Sequence, residues 1–193
     1  MEKLFFVPVF FLLFSSASNA QDLNSKKVVL IIPQDQFQDE EFSQSKNILS
    51  SKGADVKVAS TTIDFVKGMY GDKVKPDLLI DNLSAHDFDA IVLIGGMGAS
   101  QYWNDSRVFK IVQDAYSQNR IVAAICIAPV TLANAGILRG KRATVSSSEE
   151  DELVAGGAIY STNPVVRDGN IITASGPVAA NDFAEEISRA LNR

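Results

Sequence analysis

One cysteine and one glutamate are the side chains in this sequence whose types and positions could do chemistry. Cys126 is the only cysteine of the 193 residues, and it lies in the stretch AAICIAP, at the end of an apolar run. As a thiolate it would be a nucleophile and a target for oxidation. A free cysteine is also often a small buried apolar side chain. Both interpretations stay open on the local sequence alone.

The residues around Cys126 predict a sharp turn from a strand into a helix. Ala124 and Ala128, two residues before and two after, are small enough for a crowded backbone and have the spacing of a nucleophile elbow. Such a turn lifts its central side chain above the carboxyl edge of the sheet, at a helix N-terminus. The helix dipole favours a thiolate there, so this context favours a functional thiol with a lowered pKa.

Glu41 is the second candidate because its helical position turns it toward the sheet. Phe37, Glu41, Ser45 and Ile48 follow the period of one helix face, whereas Glu40 points outward. A carboxyl buried there would be protonated and could donate a hydrogen bond to a thiolate. A glutamate at the rim of the site would reach water instead, and the sequence leaves this alternative open.

Backbone N–H groups near the two candidates complete the predicted site. Gly95 and Gly96 end a neighbouring apolar strand, and their N–H groups, with that of Ile127, suit an oxyanion. A glycine pair also makes an ordinary turn, so it is a weak signal alone. Tyr102 and Trp103 follow on the same loop, and we interpret them either as a pocket wall or as ordinary exposed aromatic residues.

Alternating strands and helices are required to position these residues. The apolar runs and capping residues predict four strands, over 28–32, 55–60, 90–94 and 121–125, and a hairpin with Asp168-Gly169 at its turn. They also predict a first helix that Asp39 caps and that stops at Gly53, and further helices over 105–119, 129–135 and 179–191. Residues 61–84 contain only short strand-like pieces. This order predicts an α/β domain with a mostly parallel central sheet.

The beginning of the chain has the layout of an export signal. A positively charged start precedes the apolar run at 4–14, and residues 18–20 form a small-residue cleavage site. The run contains Pro8 and is shorter than the roughly 20 apolar residues of a membrane span. We therefore expect a cleaved signal at 1–20 and one domain over 21–193. After cleavage, we expect a periplasmic or secreted protein that is not attached to a membrane.

Charge and composition exclude several classes of function. The net charge of −5 and the isoelectric point of about 4.9 give no electrostatic support for binding nucleic acid. One histidine and one cysteine provide no metal-ligand spacing, and phosphate-binding glycine loops are absent from the sequence. The acidic run at 149–152 fits a solvated helix face. We expect neither a metal nor a cofactor.

Several segments together resemble the ThiJ/PfpI family, the superfamily of the Parkinson-disease protein deglycase. They are FQDEEF, AIVLIGGMGA, AAICIAPVTLANAGILRGKRAT and VVRDGNIITASGPVAANDFAEEI, and the resemblance covers residues 28–191. It implies a flavodoxin-like three-layer sandwich similar to class I glutamine amidotransferases, often assembled as a homodimer. It places the family's nucleophile on Cys126, its glutamate on Glu41 and its oxyanion donors on Gly96 and Ile127.

The resemblance implies cysteine-based chemistry with more than one possible outcome. Activities across the family include glyoxalase, deglycase, peptidase, chaperone and oxidation-sensing functions, and the family cysteine is readily oxidised to a sulfinate held by the glutamate. The implied partner is a small reactive carbonyl or a peroxide. Three hypotheses stay open: a carbonyl-directed or hydrolase-like enzyme, an oxidation sensor or stress-protective protein without turnover, and a binding domain without chemistry.

The family's histidine is missing from this chain. The protease-like branch carries it directly after the cysteine, where this chain has Ile127. The deglycase branch carries it in the strand after the elbow helix, where Ser146 falls nearest. The single histidine, His86, precedes a strand and is expected at the end away from the site. Ser146 is therefore a possible substitute in proton transfer, and Glu41 itself is the other.

Overall fold

Short apolar runs of the chain form the strands of a central sheet. The computed structural model describes residues 22–193, so the predicted signal at 1–20 lies outside the described residues. The strands are Lys27–Ile31 (β1), Asp35–Phe37 (β2), Asp55–Ser60 (β3), Val66–Gly68 (β4), Lys73–Val74 (β5), Leu78–Leu79 (β6), Ala90–Leu93 (β7), Ile121–Ile125 (β8), Arg142–Ala143 (β9), Ile159–Tyr160 (β10), Val165–Asp168 (β11) and Ile171–Ala174 (β12).

The helices cover both faces of this sheet. They are Asp39–Ser51 (α1), Ser106–Ser117 (α2), Pro129–Asn134 (α3), Glu150–Ala155 (α4) and Ala180–Leu191 (α5). A 3₁₀ segment over Met97–Tyr102 follows β7. Within residues 22–193, every helix is too short or too polar to cross a membrane.

Seven strands are joined in the order β11-β12-β8-β7-β1-β3-β6. All neighbours pair in parallel except β11, which forms an antiparallel hairpin with β12. The carboxyl ends of β1, β7, β8 and β12 therefore meet at one edge. This arrangement confirms the predicted flavodoxin-like α/β fold with its mostly parallel sheet. Two small sheets, β2-β4-β5 and β9-β10, lie outside it.

Alternating side chains of the buried strands pack into two apolar layers. In β1, Val29 and Ile31 face the layer under α2 and α3, whereas Val28 and Leu30 face the layer under α1 and α5. Strands covered on both faces are continuous apolar runs, which is why these runs predicted them well. The two layers fix the strand ends from which the site projects.

The structure corrects the predicted N-cap of α1 by one residue. Gln38, not Asp39, is the N-cap, and its side-chain oxygen accepts a hydrogen bond from the N–H of Glu41 at 2.8 Å. Asp39 lies in the first turn, where its carboxylate accepts the N–H groups of Tyr70 and Asp72 at 3.0 and 2.9 Å. Asp39 is thus committed to the β4–β5 turn, which leaves the cap to Gln38.

Candidate active site

Cys126 occupies a sharp turn between β8 and α3, as its small neighbours predicted. Its φ angle is +64°, in the left-handed region that residues other than glycine rarely adopt. Such a conformation costs about 1–3 kcal/mol and persists where its surroundings impose it. Here the Cys126 N–H donates to the carbonyl of Ala174 at 2.9 Å, and the Ser146 N–H donates to the Cys126 carbonyl at 2.8 Å. The turn is fixed on both sides.

Glu41 lies fully buried under this turn, with 0% of its surface exposed. Its Oε2 atom accepts the N–H of Gly95 at 3.0 Å, while its Oε1 atom has no oxygen or nitrogen partner among the described residues. Burial raises the pKa of the carboxyl to about 8, although the Gly95 N–H and the Cys126 thiol each lower it. The carboxyl is therefore mainly protonated at neutral pH, and the alternative of a rim glutamate in water is wrong.

Gly95 brings the carboxyl and the cysteine together. A β-carbon at this position would overlap Cβ of Cys126 and would lie only 2.6 Å from Oε2 of Glu41. Only a residue without a side chain fits between the two groups. The glycine pair is therefore required by a close approach, and the interpretation as an ordinary turn is wrong.

Gly96, the second glycine of the Gly95-Gly96 pair, is required by its backbone conformation. Its φ angle is +102°, and a β-carbon there would lie 2.5 Å from the nitrogen of Gln38. In this conformation the Gly96 N–H faces the Cys126 sulfur, as does the N–H of Ile127, and both lower the thiol pKa. The structure thus brings together the four residues predicted for the site: Cys126, Glu41, Gly96 and Ile127.

The thiol pKa differs from the sequence-based expectation of a lowered value. Burial of the sulfur, and then the negative charge on Glu41, raise the pKa of Cys126 to about 12, against the two backbone N–H groups. The expected dipole is weak because α3 has only six residues. The effect of the Glu41 charge on the thiol pKa vanishes when Glu41 is protonated. The two groups therefore titrate as a coupled pair that carries at most one negative charge near neutral pH.

The two aromatic residues of the neighbouring loop have different positions. Tyr102 is 2% exposed and its hydroxyl donates to the carbonyl of Ile32 at 2.8 Å, so its predicted place in a pocket wall is wrong. Trp103 is half-buried, and its indole N–H donates to the carbonyl of Ile127 at 3.2 Å. Trp103 therefore contacts the residue that follows the cysteine.

The polar residues that could replace the missing family histidine lie in different positions relative to the Cys126 sulfur. Ser146 reaches the turn through its backbone N–H, and its hydroxyl shares a hydrogen bond of 3.0 Å with Ser148. His86 precedes the amino end of β7, 3.4 Å from Gln118, at the edge opposite the site. Glu41 is the ionisable group that faces the sulfur.

Other features of the described residues do not compete with this site. The side chains of residues 22–193 form no cluster able to hold a metal ion. A cavity of about 540 Å³ lies at the amino edge of the sheet, lined by Lys26, Arg120 and Arg167 among others. Arg120 forms an ion pair with Asp89 at 2.8 Å, and Arg167 forms one with Glu186 at 3.3 Å, so both arginines have acidic partners within the protein. That explains the basic lining without a ligand.

Sequence signals could have found more of the site than Cys126 and Glu41. Gly95 was interpreted only as a turn or an oxyanion donor, although the crowding at a strand end next to a nucleophile elbow demands a glycine. Phe37 was placed on the helix face of Glu41, but it ends the short strand β2, which has no apolar period that would predict it. This part of the chain is placed by long-range bonds, such as that from the Gln38 N–H to the Gly95 carbonyl at 3.0 Å.

Comparisons with known proteins agree with this geometry. The family model described as the DJ-1/PfpI family matches residues 26–190. An uncharacterized protein of Methanocaldococcus jannaschii is 38% identical over 93% of this chain and 89% of its own length. A protein named a deglycase from Pyrococcus abyssi is 33% identical over 77% of this chain and 90% of its own.

A solved structure leads to the same conclusion. The ThiJ/PfpI domain protein of Brachyspira murdochii superposes with a TM-score of 0.85 at 36% identity, over 88% of this chain and 98% of that one. The chain belongs to the DJ-1/PfpI family.

Proposed function

We propose that this protein is a cysteine-dependent enzyme that acts on small reactive carbonyl compounds such as methylglyoxal. The observation that carries the proposal is the contact between the Cys126 thiol and the buried, protonated carboxyl of Glu41, with the N–H groups of Gly96 and Ile127 on the same sulfur. The name of the Pyrococcus abyssi relative, a deglycase, supports carbonyl chemistry of this class.

The first step is addition of the cysteine to an aldehyde. The sulfur attacks the carbonyl carbon, a sulfur–carbon bond forms, and the electron pair of the C=O π bond moves to oxygen. The N–H groups of Gly96 and Ile127 are placed to bind that oxygen as its charge develops. The reacting form is the pair after it has lost one of its two protons, so that Cys126 and Glu41 hold a single proton between them. That proton ends on the oxygen, which gives a neutral hemithioacetal and an ionised Glu41.

The ionised Glu41 is then the base for the second step with a dicarbonyl substrate. It takes the hydrogen of the carbon bound to sulfur as a proton and returns a proton to the adjacent carbonyl carbon as the electron pair shifts. The hydroxyl proton of the hemithioacetal moves to the oxygen of that adjacent carbon, so the carbon bound to sulfur becomes the thioester carbonyl. The product is a thioester of a 2-hydroxy acid, which water hydrolyses to release the thiol. This sequence is an internal redox isomerisation, so it consumes no external oxidant or reductant, and one carboxyl performs both transfers.

The test compares methylglyoxal consumption by purified residues 21–193 with that of Cys126→Ser and Glu41→Gln, with the 2-hydroxy acid followed by NMR. We expect each variant to lose about 10²–10⁴-fold in kcat/KM, the usual effect of losing a nucleophile or proton-transfer group. Glu40→Gln, one residue away but exposed, is the matched control and should retain wild-type rates. Equal consumption by wild type and Cys126→Ser would refute the proposal.

An oxidation sensor is the second candidate, favoured by the unpaired Oε1 atom of Glu41. A protonated carboxyl there could donate to an oxygen added to the sulfur of Cys126. Peroxide would then oxidise the thiol to a sulfenate and a sulfinate, with the peroxide reduced to water. Intact mass after peroxide treatment tests this: Cys126 left reduced while an exposed model thiol oxidises would exclude a sensor. If the protein neither consumes methylglyoxal nor is oxidised at Cys126, the third hypothesis, a binding domain without chemistry, is left.

We also propose that the protein is exported and forms a homodimer. The signal layout of residues 1–20 supports export, and family membership supports the dimer. The mass of the mature protein from its native host tests the first claim, since cleavage would give a chain that begins at Gln21. Light scattering on the purified chain tests the second, and a monomeric mass at micromolar concentration would refute it.

A further inference from the structure

One continuous segment connects the two backbone donors that face the sulfur. It begins at Gly96, continues through the 3₁₀ turns of Met97–Tyr102, and ends at Trp103. The Gly96 N–H faces Cys126 at one end, and the Trp103 indole N–H binds the carbonyl of Ile127 at the other. A single piece of chain therefore links Gly96, which carries one donor, to Ile127, which carries the other.

The carboxyl end of this segment is held by two contacts outside it. The Tyr102 hydroxyl, buried, donates to the carbonyl of Ile32 at the end of β1 at 2.8 Å. The side-chain amide of Asn134, at the end of α3, donates to the carbonyl of Trp103 at 2.8 Å. Trp103 is thus joined to the elbow helix at both its start and its end.

We propose that Trp103 is a positioning residue that holds Ile127 in the orientation that directs its N–H to the Cys126 sulfur. The Ile127 carbonyl also accepts the N–H of Val130 at 3.3 Å, a long helical bond. The indole bond at 3.2 Å comes from outside the helix and restrains Ile127 at the peptide that follows its N–H. On the other side, the Ser146 N–H fixes the peptide between Cys126 and Ile127.

A simple packing role for Trp103 is the alternative, because its ring also lies against the apolar layer under α2 and α3. The two roles depend on different atoms of one side chain. Packing needs the bicyclic ring, whereas positioning needs the indole N–H. A replacement that keeps the ring and removes only this donor separates them.

The experiment replaces Trp103 by 3-benzothienylalanine, in which sulfur takes the place of the indole N–H. Trp103 is the only tryptophan of the chain, so incorporation in a tryptophan-auxotrophic host changes one position. We expect the alkylation rate of Cys126 at pH 7 to fall about three- to tenfold and its pH profile to move upward, because one donor that favours the thiolate is less well directed. The Trp103→Phe variant should show the same shift.

The control is Gln113→Met, which removes another side-chain donor to the α3 region. The side-chain amide of Gln113 donates to the carbonyl of Ala135 at 2.7 Å. It should leave the profile unchanged. A wild-type profile in the benzothienylalanine protein, or an equal shift in Gln113→Met, would overturn the proposal. This inference rests on the proposed function, but alkylation needs no turnover. A protein inactive toward methylglyoxal can therefore still show the shift, which separates the two failures.

Discussion

At the scale of residues, the site is a pair of acids, the half-buried thiol of Cys126 and the fully buried carboxyl of Glu41. Either anion alone is costly because burial disfavours charge and raises both pKa values, and the negative charge of Glu41 raises the pKa of Cys126 further. The N–H groups of Gly95, Gly96 and Ile127 reduce this cost without adding a charge. Chemistry without a histidine then requires that the proton move between Cys126 and Glu41.

Two variants of Ser146 test whether the site depends on the hydroxyl of this residue or only on its backbone N–H. Ser146→Ala should keep the Cys126 alkylation rate within about twofold, since the hydroxyl binds Ser148 and not the sulfur. Ser146→Pro removes the N–H that binds the Cys126 carbonyl, at a φ of −52° that proline accepts. We expect this variant to slow alkylation about three- to tenfold.

Rates of alkylation at pH 7, read by intact mass, compare the two Ser146 variants. Circular dichroism shows whether each one is folded. A loss in Ser146→Ala as large as in Ser146→Pro would instead assign proton transfer to the Ser146 hydroxyl, the role first considered for it from the sequence.

At the scale of elements, the N-terminus of α1 holds Glu41 in place. Gln38→Ala removes the cap on the Glu41 N–H and should cost about 1 kcal/mol of unfolding free energy. We expect it also to slow Cys126 alkylation, because Glu41 lies in the turn that the cap fixes. Urea unfolding and alkylation rates measure the two effects.

The matched control is Asp105→Ala, which removes the cap of α2, where Asp105 accepts the N–H of Arg107 at 2.9 Å. It should cost a similar free energy of unfolding and leave alkylation unchanged. Equal alkylation rates in the Gln38 variant and in wild type would show that the cap stabilises α1 without positioning Glu41.

The elements that could be predicted from sequence are those whose own residues determine them. The buried strands β1, β3, β7 and β8 are apolar runs, and α2 has a clear amphipathic period. Strands of two or three residues, such as β2 and β5, escape prediction because pairing with distant segments creates them. Cys126 and Glu41 could be predicted because an elbow spacing and a helical period are local patterns.

The remaining parts of the site depend on distances that sequence does not contain. The contact through Gly95 and the bond from Trp103 to Ile127 each join segments from different strands. Likewise, the thiol pKa depends on how deeply the sulfur is buried, so the expected dipole effect was overestimated.

At the scale of the whole molecule, buried Glu41 makes stability depend on pH. Its pKa is about 8 in the folded protein and near 4.5 in the unfolded chain, so the folded state binds more protons between these values. This contribution to stability is complete below about pH 4.5 and is lost as pH rises through about 8, by up to about 5 kcal/mol.

Urea unfolding from pH 5 to 9 tests this linkage in wild type and in Glu41→Gln, which has no proton to lose at this position. We expect wild-type stability to fall with rising pH and the variant's stability to stay flatter. Glu40→Gln, at an exposed position, should follow wild type. Parallel wild-type and Glu41→Gln curves would show that Glu41 titrates normally in the fold.

The most direct test of the coupled pair is the rate of Cys126 alkylation against pH, read by intact mass on residues 21–193 of wild type and Glu41→Gln. Two coupled acids lose their protons in two steps. We therefore predict a wild-type rate that rises first near pH 8 and again at higher pH, and a single rise in Glu41→Gln. One identical rise in both proteins, or alkylation only on unfolding, would contradict a shared proton between Cys126 and Glu41.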